Sequence, residues 1–178
     1  MVSMLPMETQ RLTIRPLVSS DVAALVALWT DPEVTRYMGG PRDRSRLESG
    51  FAEDLGVAEQ PSFDLWPTVE TSSGQVIGHC GLLDKDVDGA AEVEVVYVIA
   101  RSAWGKGFAT EAAAALCQAA FGRLGLPRLI ALIDPQNVAS ARVAEKIGLR
   151  LEKTTERPGG KIMQVYALSA EQAASRGG

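Results

Sequence analysis

A mixed α/β domain is the fold class that this chain predicts, and three features of its order carry that expectation. Short alternating or apolar runs of strand length are interleaved with longer segments of helical period along all 178 residues. The stretch EVVYVIARSAWGKGFATEAAAA, residues 94–115, passes from an apolar strand through a turn bracketed by Gly105 and Gly107 into an alanine-rich helix. A further strand leads to DPQNVASARVAEKIGL, residues 134–149, a segment with helix start and stop signals at its two ends. With 46% hydrophobic residues and no Pro/Gly/Ser-rich linker, one domain is expected over residues 8–170, with flexible ends at 1–7 and 171–178.

In order along the chain, Gln10–Arg15 alternates as a first strand, and Asp21 stands where it would cap an amphipathic helix through Trp29. Arg44–Gln60 reads as one or two polar helices. Phe63–Thr71 and Gln75–Leu83 flank Ser72, Ser73 and Gly74, whose turn chemistry makes the pair a hairpin. Asp86–Gly89 forms the next turn and Glu92–Ala100 the central strand. Helix Ala109–Arg123, strand Arg128–Ile133 and helix Asn137–Ile147 follow, with closing strands near Leu149–Thr155 and Ile162–Leu168. Asn137 is a good N-cap, Ser140 falls on the first turn, and Gly148 is placed to end the helix.

The turn at Gly105–Gly107 has the composition of an anion site. Its glycines let the backbone curl, and the first amides of the following helix lack intrahelical acceptors. The helix dipole and Lys106 add positive charge. Two phosphate-loop patterns fail here. A Walker A loop needs Lys and then Ser or Thr after its last Gly, where this chain has Phe108, and a dinucleotide fingerprint needs Gly or Ala where Thr110 stands. The window SAWGKG from Ser102 instead resembles the Q/R-x-x-G-x-G/A pyrophosphate loop of the GNAT superfamily of N-acetyltransferases, with Ser102 in place of Gln or Arg and Arg101 one residue earlier. The longer string WGKGFATEA is similar to the RimJ/RimL branch, whose members acetylate ribosomal-protein N-termini. So are Asn137, Ser140, Glu145, Lys146, Gly148 and Leu149, at the N-x-x-S and E-K-x-G-F/L positions, and the opening Glu8–Val34.

That resemblance implies the GNAT fold: a central, mixed but mostly antiparallel seven-stranded sheet, flanked by about four helices. In the family the strands matching 92–100 and 128–133, the fourth and fifth, splay to admit the pantetheine arm. It implies acetyl-coenzyme A as cosubstrate. Val98, Ile99, Ala100, Trp104, Gly105, Lys106, Gly107, Phe108, Ala109, Thr110, Asn137 and Ser140 are the positions expected to line it.

Acetyl transfer to an amine requires a base for the nucleophile, polarisation of the thioester carbonyl and a proton for the leaving thiolate. Glu94 is the expected base. It lies in an apolar strand where desolvation raises a carboxyl, and it matches the acid of the family's E-I/L-G-Y segment. Glu92, on the same face, is expected to be a solvated neighbour. A main-chain amide near Val98 is expected to polarise the carbonyl. Ser140 is the expected proton donor, with helix capping as its structural alternative and Tyr166 as a competing acid. Trp29, Tyr37, Met38, Phe51, Trp66 and His79 are candidates for the acceptor side, with core packing as their ordinary role.

Composition is consistent with these expectations and excludes others. The net charge of −4 argues against a nucleic-acid partner, although residues 101–153 carry eight Lys or Arg against four acids. One His and two Cys make a structural metal site improbable, so no metal is expected. No serine sits in a G-x-S-x-G elbow, which favours direct transfer over an acyl-enzyme. Cys80 and Cys117 read as buried, reduced thiols, and no apolar run reaches the length of a membrane span. A cytoplasmic enzyme acting on a protein N-terminus or a small amine is the resulting expectation. A noncatalytic acyl-coenzyme A module is the alternative, and a homodimer is left open.

Overall fold

The computed structural model describes residues 4–57, 61 and 63–175. Strands β1 (Met7–Glu8) and β2 (Leu12–Ile14) are followed by helices α1 (Val22–Thr30), α2 (Pro32–Thr35) and α3 (Arg44–Asp54). A meander of β3 (Leu65–Glu70), β4 (Val76–Val87) and β5 (Ala90–Ile99) leads to α4 (Phe108–Gly122), β6 (Arg128–Ile133) and α5 (Val138–Lys146). The chain closes with β7 (Arg150–Arg157), β8 (Lys161–Ser169) and α6 (Ala170–Ala174). All eight strands form one sheet in the order β1-β2-β3-β4-β5-β6-β8-β7. The pairings are antiparallel apart from β5 with β6.

Strand alternation divides the core into two clusters, because successive side chains leave opposite faces of the sheet. Val95 and Ile99 of β5 pack with Cys80, Leu82, Ala112, Leu116 and Leu149 beneath α4 and α5. Val98 packs on the other side with Leu25, Val26, Leu28 and Phe51 of α1 and α3. Both cysteines are buried free thiols, and burial pushes them up to about 11 for Cys80 and about 12 for Cys117. 

Four expectations change. The sheet has eight strands, since two-residue β1 pairs with β2 although it is too short to show a period. Met4 and Met7, in the segment expected to fray, are buried in the larger cluster. The polar segment from Arg44 is helical as far as Asp54, and residues 58–60 at its expected end lie outside the described residues. Asp21 does not cap α1 with its side chain; its carboxylate instead accepts from Arg15 at 2.7 and 2.9 Å and from the Val18 N–H at 3.0 Å. A buried carboxylate is better satisfied by a guanidinium fork than by a single helix amide.

The end of α5 follows its sequence signals. Gly148 has φ +104°, its N–H donates to Glu145 O at 3.1 Å, and Leu149 N–H reaches back to Ala144 O at 3.0 Å. This Schellman closure seats the apolar pair Leu149 and Ala144 in the core. It turns the chain directly into β7.

Candidate active site

The central strands part in the middle of the sheet. Parallel β5 and β6 share a single register pair, Glu94 with Ile130, so the carboxyl-terminal half of β5 has no β6 partner. Just past the end of β5 the Ala100 N–H donates to Ile77 O at 2.8 Å, and within β5 Val98 stands opposite His79. Alternation then turns the Val98 amide toward β4 and the Tyr97 and Ile99 amides toward the gap. The Ile99 carbonyl, on that open side, accepts from Trp104 Nε1 at 2.8 Å.

Glu94 stands where the strands diverge. Its Oε1 accepts from the Leu132 N–H at 3.2 Å, so a side chain takes a β6 amide that a backbone carbonyl would otherwise hold. Its Oε2 lies 3.6 Å from Lys85 Nζ. Burial raises the Glu94 carboxyl above its ordinary range, and the charge of Lys85 and the Leu132 amide pull partly against that. Glu92 differs from expectation. Both of its oxygens accept from Arg128 Nε at 3.1 Å, so it is held in an ion pair rather than solvated.

Across the gap, Asn137 caps the start of α5, its Oδ1 accepting from the Ser140 N–H at 3.1 Å. Ser140 Oγ donates to Tyr97 Oη at 3.2 Å, while Tyr97 donates to the Ser140 carbonyl at 2.9 Å. Burial lifts the Tyr97 phenol above its ordinary range, so its hydroxyl stays protonated. Tyr97 was not among the expected site residues. The signal was available, because it occupies the Tyr position of the E-I/L-G-Y segment that pointed to Glu94. Tyr166 is buried on β8, and its phenol is raised by burial and then by the charge of Glu145.

At the amino end of α4, Gly105 and Gly107 adopt φ +74° and +81°. Gly107 is the N-cap, and Glu111 N–H is the first amide to find a helix carbonyl, Gly107 O at 3.1 Å. The amides of Phe108, Ala109 and Thr110 therefore have no intrahelical acceptor. These donors, the left-handed glycines and the open side of β5 fit a pyrophosphate followed by an extended pantetheine arm. Arg101 is less available than expected, since its Nε lies 3.6 Å from Asp31 Oδ2.

The aromatic candidates fall into two groups. Trp29 Nε1 donates to His79 Nδ1 at 3.0 Å, and Phe51 meets the same ring edge-on. Burial lowers His79 to about 4, so it is neutral at pH 7 and serves as an acceptor in the wall. Met38 packs against the same cluster, and the Tyr37 carbonyl accepts from Lys161 of the β7–β8 hairpin. Trp66 is different. It borders a cleft of about 230 Å³ with Phe51 and His79, but it is 2% exposed and packs with Leu12, Ile14 and Cys80 in the other cluster. It offers little surface to an acceptor.

A splayed strand pair beside a glycine-initiated helix directs attention to the known proteins that share it. The acetyltransferase (GNAT) domain family matches residues 11–150. The chain belongs to this family. As a GNAT acetyltransferase it is 33% identical over 159 residues to the uncharacterized protein YkkB of Bacillus subtilis (strain 168), covering 89% of this chain and 92% of that one. It is 31% identical over 170 residues to the uncharacterized N-acetyltransferase p20 of Bacillus licheniformis, covering 90% and 93%. Among solved structures, the acetyltransferase from Agrobacterium tumefaciens str. C58 aligns with TM-score 0.77 and 30% identity over 94% of this GNAT chain and 96% of that one. Among the described residues no helix is long and apolar enough to cross a membrane, and no group of His, Cys, Asp or Glu is arranged to hold a metal ion.

Proposed function

We propose that this GNAT protein transfers an acetyl group from acetyl-coenzyme A to a primary amine by direct attack in a ternary complex. The observation that carries the reading is the opening of β5 from β6, with half-buried Glu94 where the strands part and the free α4 amides beyond it. Bound acetyl-coenzyme A would supply the activated thioester. Ile99 and Trp104–Thr110, with Asn137, are the residues assigned to hold it, since the amides of Val98 and Ala100, which the sequence had placed beside it, face β4 instead. The Asn137 oxygen is engaged by Ser140, which leaves the amide nitrogen as its donor.

Glu94 acts as general base, directly or through a water, taking the proton from the acceptor nitrogen so that its lone pair can attack the carbonyl carbon. A raised carboxyl suits proton removal near neutral pH. The open Tyr97 and Ile99 amides are directed where carbonyl oxygen charge develops. Ser140 Oγ, whose proton is donated to Tyr97 Oη in this structure, would turn that proton to the departing sulfur and recover one from solvent. Tyr166 is the competing donor.

Likeness to the RimJ/RimL branch favours a protein α-amino group as acceptor, with a small amine as the second class. Fold alone does not choose between them. The structure of a "putative ribosomal-protein-serine acetyltransferase" from Vibrio cholerae (20% identity, TM-score 0.72) and that of an aminoglycoside acetyltransferase AAC(6')-Ib in complex with coenzyme A (16%, 0.73) share this architecture. Incubating the protein with acetyl-coenzyme A and a panel of N-terminal peptides, polyamines, amino acids and aminoglycosides tests the proposal, with thiol release and product mass as readouts. An acetylated amine is expected. Tight coenzyme A binding without turnover on any amine would instead indicate a noncatalytic acyl-coenzyme A module.

A further inference from the structure

One arginine remote in sequence from the cofactor loop reaches three of its parts. Arg11 precedes β2, yet its Nε donates to Glu111 Oε2 at 2.7 Å, its Nη1 to the Lys106 carbonyl at 2.9 Å, and its guanidinium lies 4.5 Å from the centroid of Phe108. Its backbone N–H also donates to Glu111 Oε1 at 2.7 Å, and Thr9 Oγ1 donates to that same oxygen at 2.6 Å. No other side chain among the described residues bridges the loop and the first turn of α4 in this way.

The bond to Lys106 O has a consequence for the peptide that follows it. In a trans peptide the C=O and the next N–H point in opposite directions. Anchoring the Lys106 carbonyl on Arg11 therefore turns the Gly107 N–H to the opposite side of the loop, away from the guanidinium. Gly107, at φ +81°, has no Cβ to restrain this peptide, so an external hold is needed to keep one orientation.

The bonds to Glu111 address a second problem. A carboxylate in the first turn of a helix is favourable to the helix, but it occupies the positive end and repels an incoming anion. Burial alone would raise the Glu111 carboxyl, yet the hydrogen bonds of Thr9 and Arg11 and the Arg11 charge outweigh it and hold it below its ordinary value. It is thus ionised and needs a countercharge.

We infer that Arg11 is a positioning residue for the pyrophosphate loop: it fixes the Lys106–Gly107 peptide and neutralises Glu111, so that a diphosphate meets oriented amides without an opposing carboxylate. The inference rests on coenzyme A binding at this loop, as proposed above. It concerns a residue that touches the loop and not the reacting atoms.

Calorimetric titration with coenzyme A and with pantetheine, which lacks the diphosphate, tests it on the parent, Arg11→Gln, Glu111→Gln and the double variant. Arg11→Gln is expected to weaken coenzyme A binding about tenfold while leaving pantetheine unchanged. Adding Glu111→Gln to Arg11→Gln is expected to recover about threefold, because the unmasked charge is then removed. A merely structural role would make the double variant no better than the single one and would weaken both ligands alike; either result overturns the inference. If Arg11→Gln melts below the working temperature, Arg11→Lys, which keeps the charge without the fork, is read the same way, and equal losses for coenzyme A and pantetheine overturn it. Failure of the parent to bind coenzyme A would overturn the site reading itself, an outcome distinct from a parent that binds and an Arg11→Gln variant that matches it.

Discussion

Glu94 illustrates how one side chain can serve both sheet and chemistry. It supplies the acceptor that Leu132 N–H loses where β6 turns away, and the burial that this requires raises its carboxyl. Glu94→Gln keeps the size and an amide oxygen for Leu132 but removes basicity. Turnover should fall by roughly 10²-fold with little change in coenzyme A affinity, and the deficit should shrink at high pH, where the amine is already neutral. Equal rates for parent and variant across the pH range, with a verified acceptor, would remove Glu94 as base. Lys85 offers a second check. Its positive charge favours the ionised carboxylate, so Lys85→Met should raise the Glu94 carboxyl further and move the acidic limb of the kcat/KM profile to higher pH. An unmoved limb would mean that Glu94 does not titrate in the rate-determining process. Ser140→Ala should slow thiol release without the rescue at high pH.

At the scale of elements, the loop between β5 and α4 depends on two left-handed residues. A Cβ at Gly105 meets nothing within 4 Å, and one at Gly107 meets only Arg11 Nη2 at 3.5 Å. The obstacle to substitution is therefore backbone conformation rather than crowding, about 1–2 kcal/mol for each β-branched residue at such a φ. Gly105→Val with Gly107→Val should displace the loop and weaken coenzyme A binding at least tenfold in a protein that still melts cooperatively. Undiminished binding by the folded double variant would place the diphosphate elsewhere.

At the scale of the molecule, the amino-terminal arm is pinned to both layers of helices. Arg15 pairs with Asp21 beside α1 on one face, and Arg11 pairs with Glu111 of α4 on the other. Burial alone would raise the Asp21 carboxyl, but the Arg15 and Val18 hydrogen bonds win and hold it below its ordinary range. The unfolded chain therefore binds the proton more readily, so this contribution is fully present above the ordinary Asp value and is lost as pH falls through the lower folded one. Asp21→Asn should cost about 2–4 kcal/mol at pH 7 and progressively less as pH falls below the ordinary Asp value, as measured by urea unfolding. A cost independent of pH would mean that the ion pair is not its source. Glu94 contributes with the opposite sign, since its raised carboxyl favours folding most at low pH and less as pH rises through its folded value.

Sequence by itself determined the mixed α/β order, the start of α4 at its glycines, and the closure of α5 at Gly148. Each is set by interactions within a few residues: a period of side chains, an amide without a carbonyl, a φ that only glycine adopts readily. It also marked Glu94, Asn137 and Ser140, because their spacing within short motifs survives without knowledge of the fold. What it could not contain were partners separated by tens of residues. Glu92 with Arg128, Tyr97 with Ser140, and Arg11 with the loop at Lys106 were decided only by tertiary structure, and so was the choice of Asp21 between a helix amide and Arg15 six residues before it. So was the parting of β5 from β6. No local signal reports it, because it depends on which amides find carbonyls across the sheet and on one, at Leu132, that is given a carboxylate instead.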